Sequence, residues 1–289
     1  MNTITDAPTR PALRYHGGKW KLAPWIIEHF PPHRVYVEPY GGAGSVLLRK
    51  KRSYAEVYND LDGEIVNLFR VLRNPSQARE LMRVVELTPF ARSEFEESYL
   101  AHGDPVEQAR RTMLRSFAGF GSAMAQTHAT GFRDNTTRAG TTPAHDWAGM
   151  PSAIELIAQR MRGVVVDMRP ALDLIDRHDT PETLFYLDPP YVASTRSERY
   201  RHSAYNFEMT NDDHRILAAA LHTTRGMVVI SGYPCELYDQ ELFADWKRVE
   251  RQAHADGARD RTEVLWLSPR TWKALQNDHS DMPLFEVAT

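Results

Sequence analysis

The tetrapeptide Asp188-Pro189-Pro190-Tyr191 combines residue types that could activate an exocyclic nucleobase amine, a poor nucleophile because its lone pair is delocalised into the ring. The Asp188 carboxylate can accept one N–H of such an amine and the Pro189 carbonyl the other, which points the nitrogen lone pair at an electrophilic carbon. The prolines hold that carbonyl rigidly, and the Tyr191 ring can stack on the base. Average residue usage gives this tetrapeptide by chance in on the order of one in a thousand such chains, so a merely stiffened loop is the weaker interpretation.

A glycine-rich turn is the second candidate feature, and it reads Glu38-Pro39-Tyr40-Gly41-Gly42-Ala43-Gly44-Ser45. Glycines allow positive φ and close backbone approach to a ligand, and a helix N-terminus beyond them offers N–H groups to an anion. Asp60 follows Gly41 by 19 residues, where an acid hydrogen-bonds the ribose of adenosine-containing cofactors. The spacing fits NAD, FAD or S-adenosylmethionine, although the glycines do not follow G-x-G-x-x-G, and a tight turn without a ligand stays open.

The elements that position these residues alternate between short apolar strands and amphipathic helices. This alternation predicts a doubly wound parallel sheet, which binds ligands at the carboxyl ends of its strands. Both the glycine turn and Asp188 directly follow a predicted strand. Strands are predicted at 35–38, 56–59, 164–166, 184–187, 227–231 and 262–267, and helices at 44–51, 61–72 and 212–221.

The alternation breaks at about Thr88, and the chain up to Met150 is rich in Arg, Gly, Thr and His without clear strands. We therefore predict a mostly helical insertion at 88–150, between the second and third strands. The catalytic domain would comprise 13–87 and 151–289, with 1–12 as a flexible lead-in.

Composition excludes several classes of protein. The formal net charge of the 289 residues is −3, so any nucleic-acid binding must come from local basic patches. The single cysteine, Cys235, excludes an internal disulfide and predicts a reducing, cytoplasmic compartment. It follows the predicted strand 227–231 rather than the tetrapeptide, which disfavours a cysteine-nucleophile C5-cytosine enzyme. No stretch approaches the roughly 18 apolar residues of a membrane span, and the polar residues 1–11 predict no signal peptide. No metal site is predicted, since His128 and His145 have no second ligand set.

The motifs and their order resemble those of Dam-like DNA adenine-N6 methyltransferases, the D12 class, in the α arrangement with the cofactor turn first, the insert second and the catalytic motif third. An orphan or phage-type member fits this resemblance. The segments that carry it are Arg14 to Lys19, Val37 to Val46, Asn59-Asp60 and Asp188 to Tyr191. Tyr15 and His16 stand where the family more commonly has Trp and Ala.

The resemblance implies a Rossmann-like α/β sheet that binds S-adenosylmethionine, with the insert as a target-recognition domain for double-stranded DNA and the target adenine flipped into the pocket. It implies that Asp188 serves both the cofactor and catalysis, and that Asp167 lies near the cofactor's adenine. The remaining residues expected at the cofactor are Tyr15, Lys19, Glu38, Pro39, Gly41, Gly42, Gly44, Ser45 and Asp60.

Two segments carry a local charge excess of +2 and are candidates for DNA contact, 112–144 and the loop after the tetrapeptide. Arginine and asparagine read bases in the major groove, although solvated loops are the alternative interpretation. The candidate residues are Arg115, Phe120, Arg133, Asn135, Arg138, Arg196 and Arg199. A monomer is the default expectation and a homodimer fits a palindromic site, with action in the bacterial or phage-infected cytoplasm, at the nucleoid.

Other activities stay open on the residues alone. An N4-cytosine methyltransferase is one alternative, because the exocyclic amine of cytosine is as poor a nucleophile as that of adenine. Related tetrapeptides also occur in RNA and protein-amide methyltransferases. A catalytically inactive DNA-binding regulator and an NAD-dependent oxidoreductase explain less of the motif set. The segments 207–214 and 261–266 are expected to support the fold, with Thr210 capping a helix and Trp266 in the core.

Overall fold

A seven-stranded sheet organises the computed structural model, which describes residues 7–15, 17–120, 130–136, 140–196, 207–254 and 260–280. The strand order is β3-β2-β1-β4-β5-β7-β6. The first five strands in this order are parallel, whereas β7 runs antiparallel to both β5 and β6. The strands are β1 Val35–Glu38, β2 Ala55–Asn59, β3 Val165–Asp167, β4 Thr183–Leu187, β5 Met227–Gly232, β6 Lys247–His254 and β7 Asp260–Leu267.

All six predicted strands are confirmed, and β6 was missed. Its sequence, Lys-Arg-Val-Glu-Arg-Gln-Ala-His, has few apolar residues because β6 is the edge strand of the sheet, beside β7. The helices are α1 Ala23–Ile27, α2 Ser45–Arg49, α3 Gly63–Arg73, α4 Pro75–Leu87, α5 Arg92–Glu97, α6 Pro105–Ala118, α7 Pro143–Ala148, α8 Met150–Met161, α9 Ala171–His178, α10 Asn211–Thr223 and α11 Pro269–Ser280.

Both faces of β1, β2, β4 and β5 are buried, as their continuous apolar runs require, whereas the edge strand β3 is partly exposed. One face, with Tyr36, Tyr58 and Tyr186, packs against the layer that contains α2 to α8. The other face, with Val37 and Phe185, packs against α9 and α10. The sheet is therefore the middle of three layers.

The described part of 88–150 contains helices α5, α6 and α7 and an isolated bridge between Gly119 and Phe132. Helix α6 packs against α3 and α4, and its buried side chains belong to the same hydrophobic cluster as theirs. These helices thus share the core of the sheet, and the predicted limits of a separate recognition domain stay a prediction.

A buried ionic cluster fixes α2, the helix that follows the glycine turn. Glu56 of β2 accepts hydrogen bonds from Arg160 of α8 at 2.7 and 2.9 Å and from Lys50 at 2.8 Å. Arg160 also donates to the Leu47 carbonyl at 2.6 Å. Because each buried charge has a partner, the cluster ties α2, β2 and α8 together. Among the helices in the described ranges, none has the length and apolar character to cross a membrane.

Candidate active site

A cavity of about 450 Å³ opens at the carboxyl edge of the sheet, where β1, β2 and β4 end. The structure brings most of the residues predicted for the cofactor and for catalysis into its wall. Those that line it are Tyr15, Lys19, Glu38, Pro39, Gly41, Gly42, Ser45, Asp60, Asp188 and Pro190. The lining of the cavity does not include Gly44, Asp167, Pro189 or Tyr191.

The glycine turn needs its glycines because Tyr58 packs directly beneath it. A Cβ on Gly41 would lie 2.2 Å from a Tyr58 ring carbon. The Tyr58 hydroxyl donates to the Gly42 carbonyl at 2.6 Å. Gly42 and Gly44 have φ values of +46° and +62°, which glycine adopts without strain. Gly44 does not line the cavity, but its left-handed conformation turns the chain from the glycine turn into α2.

Asp60 is held by the backbone on both of its carboxylate oxygens. Oδ2 accepts the Gly42 N–H at 2.8 Å and Oδ1 accepts the Asp62 N–H at 2.9 Å. Burial raises the pKa of Asp60, and these hydrogen bonds oppose that rise. Each oxygen keeps a second lone pair, so the carboxylate can also accept a pair of ligand hydroxyls.

Glu38 is a buried carboxyl in the cavity wall. Its Oε2 accepts the Tyr36 hydroxyl at 3.0 Å and the Leu47 N–H at 3.2 Å. Burial raises its pKa to about 8, the nearby Asp188 adds to the rise, and the hydrogen bonds oppose it. The site thus favours a neutral Glu38 until a cation neutralises the charged form.

Replacing Glu38 with glutamine is expected to change how stability depends on pH. The folded-state pKa of about 8 exceeds the ordinary value of 4.5, so the folded chain keeps a proton that the unfolded chain releases. Stability therefore falls as pH rises through this window, by up to about 1.4 kcal/mol per pH unit from this group. Urea unfolding should show Glu38→Gln gaining stability relative to wild type from about pH 5 to about pH 8. A difference that is constant with pH would contradict this assignment.

The Asp188 carboxylate is fixed from two sides at the end of β4. Its Oδ2 lies 3.0 Å from Lys19 Nζ, and its Oδ1 accepts the Ser231 hydroxyl at 2.8 Å. Lys19 is buried and also donates to the Gly17 carbonyl at 2.7 Å. Two preorganised donors thus orient the Asp188 carboxylate at the cavity, as a hydrogen-bond acceptor for a polar substrate must be oriented.

Comparison with known proteins identifies the chain's relatives. The family model for the D12 class N6 adenine-specific DNA methyltransferases matches residues 15–254. The chain belongs to this family. The predicted resemblance and the methyltransferase fold are therefore confirmed.

Individual relatives match over a shorter stretch. A DNA adenine methylase of Vibrio cholerae serotype O1 is 35% identical over 69 residues, which is 24% of this chain and 24% of that protein. A DNA adenine methylase of Serratia marcescens is 33% identical over 64 residues, which is 22% of this chain and 23% of that protein. The chain thus spans about a quarter of the length of these curated relatives.

Ser231 is a site residue of this D12 chain that the sequence prediction missed. It is the penultimate residue of β5, the neighbour of β4, and its hydroxyl oxygen also lies 3.1 Å from the Tyr186 hydroxyl oxygen. Its position at the end of a predicted strand is a signal that the sequence contains. The sequence does not show that β5 pairs with β4, which is what brings Ser231 to Asp188.

Replacing Ser231 with alanine is expected to lower kcat for methyl transfer about tenfold, since Asp188 loses one of the two donors that orient it. The affinity for the methyl donor should stay within about threefold of wild type, because Ser231 does not line the cavity. Steady-state kinetics on DNA with saturating methyl donor measures the effect. A kcat equal to that of wild type would show that Ser231 does not orient Asp188.

Tyr191 lies behind the cavity wall rather than in it. Its ring centroid lies 4.7 Å from Lys19 Nζ and 4.6 Å from the Tyr233 ring centroid. Its hydroxyl donates to Glu263 Oε2 at 3.1 Å. The predicted stacking of Tyr191 on a base stays a prediction. Asp167 also lies outside the cavity wall, where it pairs with Arg169 at 2.6 Å, and its role near the cofactor's adenine likewise stays a prediction.

The three arginines predicted for DNA that the structure describes have partners within the chain. Arg115 pairs with Glu64, Arg133 donates to the Phe117 carbonyl at 3.0 Å, and Arg196 pairs with Glu208 at 2.6 Å. The structure therefore gives each of them a role in packing, and DNA contact by their side chains stays a prediction.

The other residues predicted to contact DNA are either exposed or outside the described residues. Phe120 and Asn135 are exposed and available for contact. Arg138 and Arg199 lie outside the described residues, as does His128. His145 is exposed and forms a 2.8 Å hydrogen bond with the Thr142 hydroxyl.

Proposed function

We propose that this chain transfers a methyl group from S-adenosylmethionine to N6 of an adenine flipped out of duplex DNA. The observation that carries the proposal is the fixed Asp188 carboxylate at the carboxyl end of β4. It shares one cavity with the glycine turn, which Asp60 holds through the Gly42 amide. Membership of the D12 class supports the same reaction.

The chemistry of the cavity wall fits S-adenosylmethionine. The Asp60 oxygens suit two ribose hydroxyls, and Glu38, with its raised pKa, suits an ammonium group that would hold it in the charged form. The Ser45 hydroxyl is buried in this wall and has no hydrogen-bond partner among the described residues, so it suits a further polar group of the ligand. When bound, the cofactor supplies a methyl group made electrophilic by a sulfonium.

Asp188 and the Pro189 carbonyl supply two acceptors for the two N–H groups of the adenine amine. Holding both aims the nitrogen lone pair away from the ring and at the methyl carbon. The cofactor would supply the methyl group and leave as a neutral thioether, while Asp188 would stabilise the positive charge that develops on the nitrogen. The N–H proton that Asp188 holds would then pass from the nitrogen through Asp188 to solvent, which restores a neutral amine. No covalent enzyme intermediate is required, and Cys235 has no part in the reaction.

DNA contact is proposed for exposed Phe120 and Asn135 and for Arg138 and Arg199. Phe120 lies two residues beyond the end of α6 and its side chain is 50% exposed, which suits stacking or wedging against bases. We further propose that the protein acts at the nucleoid in the cytoplasm, as a monomer or as a homodimer on a palindromic site.

Transfer of labelled methyl groups to duplex DNA tests the proposal. The protein is incubated with methyl-labelled S-adenosylmethionine and genomic DNA, the DNA is digested to nucleosides, and the label is identified by mass. We expect the label on N6-methyldeoxyadenosine. Label on N4-methyldeoxycytidine would assign the cytosine reaction instead, and binding of DNA without any transfer of label would indicate an inactive regulator.

A further inference from the structure

Glu263 is a buried carboxylate in β7 that faces the catalytic motif rather than solvent. It is 8% exposed, and its Oε2 accepts the Tyr191 hydroxyl at 3.1 Å. The two residues are 72 positions apart in sequence, and the β5–β7 pairing brings them together. Burying a carboxylate is costly unless it is paired or hydrogen-bonded, so support of the fold alone does not explain an acid at this position.

Glu263 also lies within electrostatic reach of the Lys19–Asp188 ion pair. Burial raises the pKa of Glu263, Lys19 lowers it, and Asp188 raises it. Lys19 therefore interacts with two carboxylates, the one that faces the cavity and the one behind it. Glu263 thus lies close to the Lys19–Asp188 pair as well as to the Tyr191 hydroxyl.

The Tyr191 ring packs edge-on against the Tyr233 ring, with 4.6 Å between their centroids, and Tyr191 is held at three further points. Glu263 holds the far end of its side chain. The Tyr191 carbonyl accepts a hydrogen bond from Arg196, its ring packs beside Lys19, and its hydroxyl reaches Glu263. The first contact fixes the backbone and the second is a cation–π contact that tolerates rotation of the ring. Of all these contacts, the hydrogen bond to Glu263 is the one that holds the hydroxyl, so Glu263 and the Tyr233 ring together fix the direction of the Tyr191 ring.

We propose that Glu263 is a positioning residue of the acceptor site, which holds the Tyr191 ring against Lys19 and so fixes the Lys19–Asp188 pair. This proposal rests on the proposed methyl transfer only for its effect on turnover. The positioning of Tyr191 itself is independent of the reaction.

Kinetic comparison of matched variants tests the effect on turnover. Glu263→Ala removes the acceptor and is expected to lower kcat on DNA about tenfold, whereas Glu263→Gln keeps an acceptor oxygen and should stay within about threefold of wild type. Affinity for S-adenosylmethionine in calorimetry should change less than about threefold in both variants. Glu250→Ala, which removes an exposed carboxylate from neighbouring β6, is the control and should leave kcat unchanged.

A double-mutant cycle separates positioning from a general loss of packing. Tyr191→Phe removes the donor of the same hydrogen bond, so Glu263→Ala combined with Tyr191→Phe should be no slower than the slower single variant. Additive losses, or a Glu263→Gln variant as slow as Glu263→Ala, would overturn the proposal.

A spectroscopic experiment tests the positioning without any enzymatic activity. The protein is labelled with 3-fluorotyrosine, and the ¹⁹F resonance of Tyr191 is assigned as the one absent from Tyr191→Phe. We expect Glu263→Ala to shift this resonance and Glu263→Gln to leave it near the wild-type position. An unshifted resonance in Glu263→Ala overturns the proposal. If the resonance shifts but the wild type does not methylate DNA, the proposed function fails and the positioning role stands.

Discussion

Replacing Asp188 with asparagine is expected to lower kcat for DNA methylation about 10³-fold while the chain stays folded. Asparagine has the shape of aspartate, but it lacks the charge that stabilises the amine as its nitrogen becomes positive. Lys19 keeps its hydrogen bond to the Gly17 carbonyl and its contact with the Tyr191 ring, so the loss of one partner does not leave it isolated. Single-turnover kinetics with saturating cofactor and DNA isolates the chemical step.

A surface change of the same type serves as the control for Asp188→Asn. Asp212 lies in the first turn of α10, its side chain is 85% exposed, and it forms a salt bridge with Arg215 of the same helix. Asp212→Asn should therefore leave turnover unchanged. Circular dichroism of both variants checks that each is folded. Turnover of Asp188→Asn within about tenfold of wild type would show that the carboxylate does not act on the amine.

Replacing Asp60 with alanine is expected to weaken the binding of S-adenosylmethionine about 10²-fold. The carboxylate holds the Gly42 and Asp62 amides, so its loss removes both the proposed ribose acceptor and the constraint on the glycine turn. Two charge-assisted hydrogen bonds account for an effect of about this size. Isothermal titration calorimetry with the cofactor alone measures the affinity without requiring DNA.

An intermediate variant separates the two effects of Asp60. Asp60→Asn keeps one acceptor oxygen for a backbone amide and should bind the cofactor with an affinity between those of wild type and Asp60→Ala. At saturating cofactor, kcat of Asp60→Ala should fall far less than the affinity does, because Asp60 does not touch the methyl acceptor. An affinity of Asp60→Ala within about threefold of wild type would remove Asp60 from the cofactor site.

The main elements of the fold could be predicted because buried parallel strands leave a strong apolar signal. Runs such as Leu184 to Leu187 and Met227 to Ile230 are buried on both faces, so periodicity and strand ends were enough to place Asp60 and Asp188 at one edge. Strand β6 could not be found in this way. Its many charged residues suit a strand at the edge of the sheet, but they do not mark a strand in the sequence. Its pairing with β7 becomes visible in the structure.

The predicted active-site residues were those near a recognisable motif, whereas the missed ones depend on strand order. Ser231 reaches Asp188 because β5 lies beside β4, and Glu263 reaches Tyr191 because β7 follows β5 in the sheet. A one-dimensional pattern contains no information about these neighbours. The same limit applies to Arg115, whose partner Glu64 is 51 residues away, so a charge that suggests DNA contact is engaged within the protein.

Mapping methylated bases in cellular DNA tests the central claim most directly. Wild-type protein and Asp188→Asn are each expressed in a bacterial host that lacks adenine methylation, and genomic DNA is sequenced by a method that detects modified bases. We predict N6-methyladenine at one short sequence throughout the genome with wild type and none above background with Asp188→Asn. Absence of N6-methyladenine with wild type, or equal methylation with Asp188→Asn, would contradict the account.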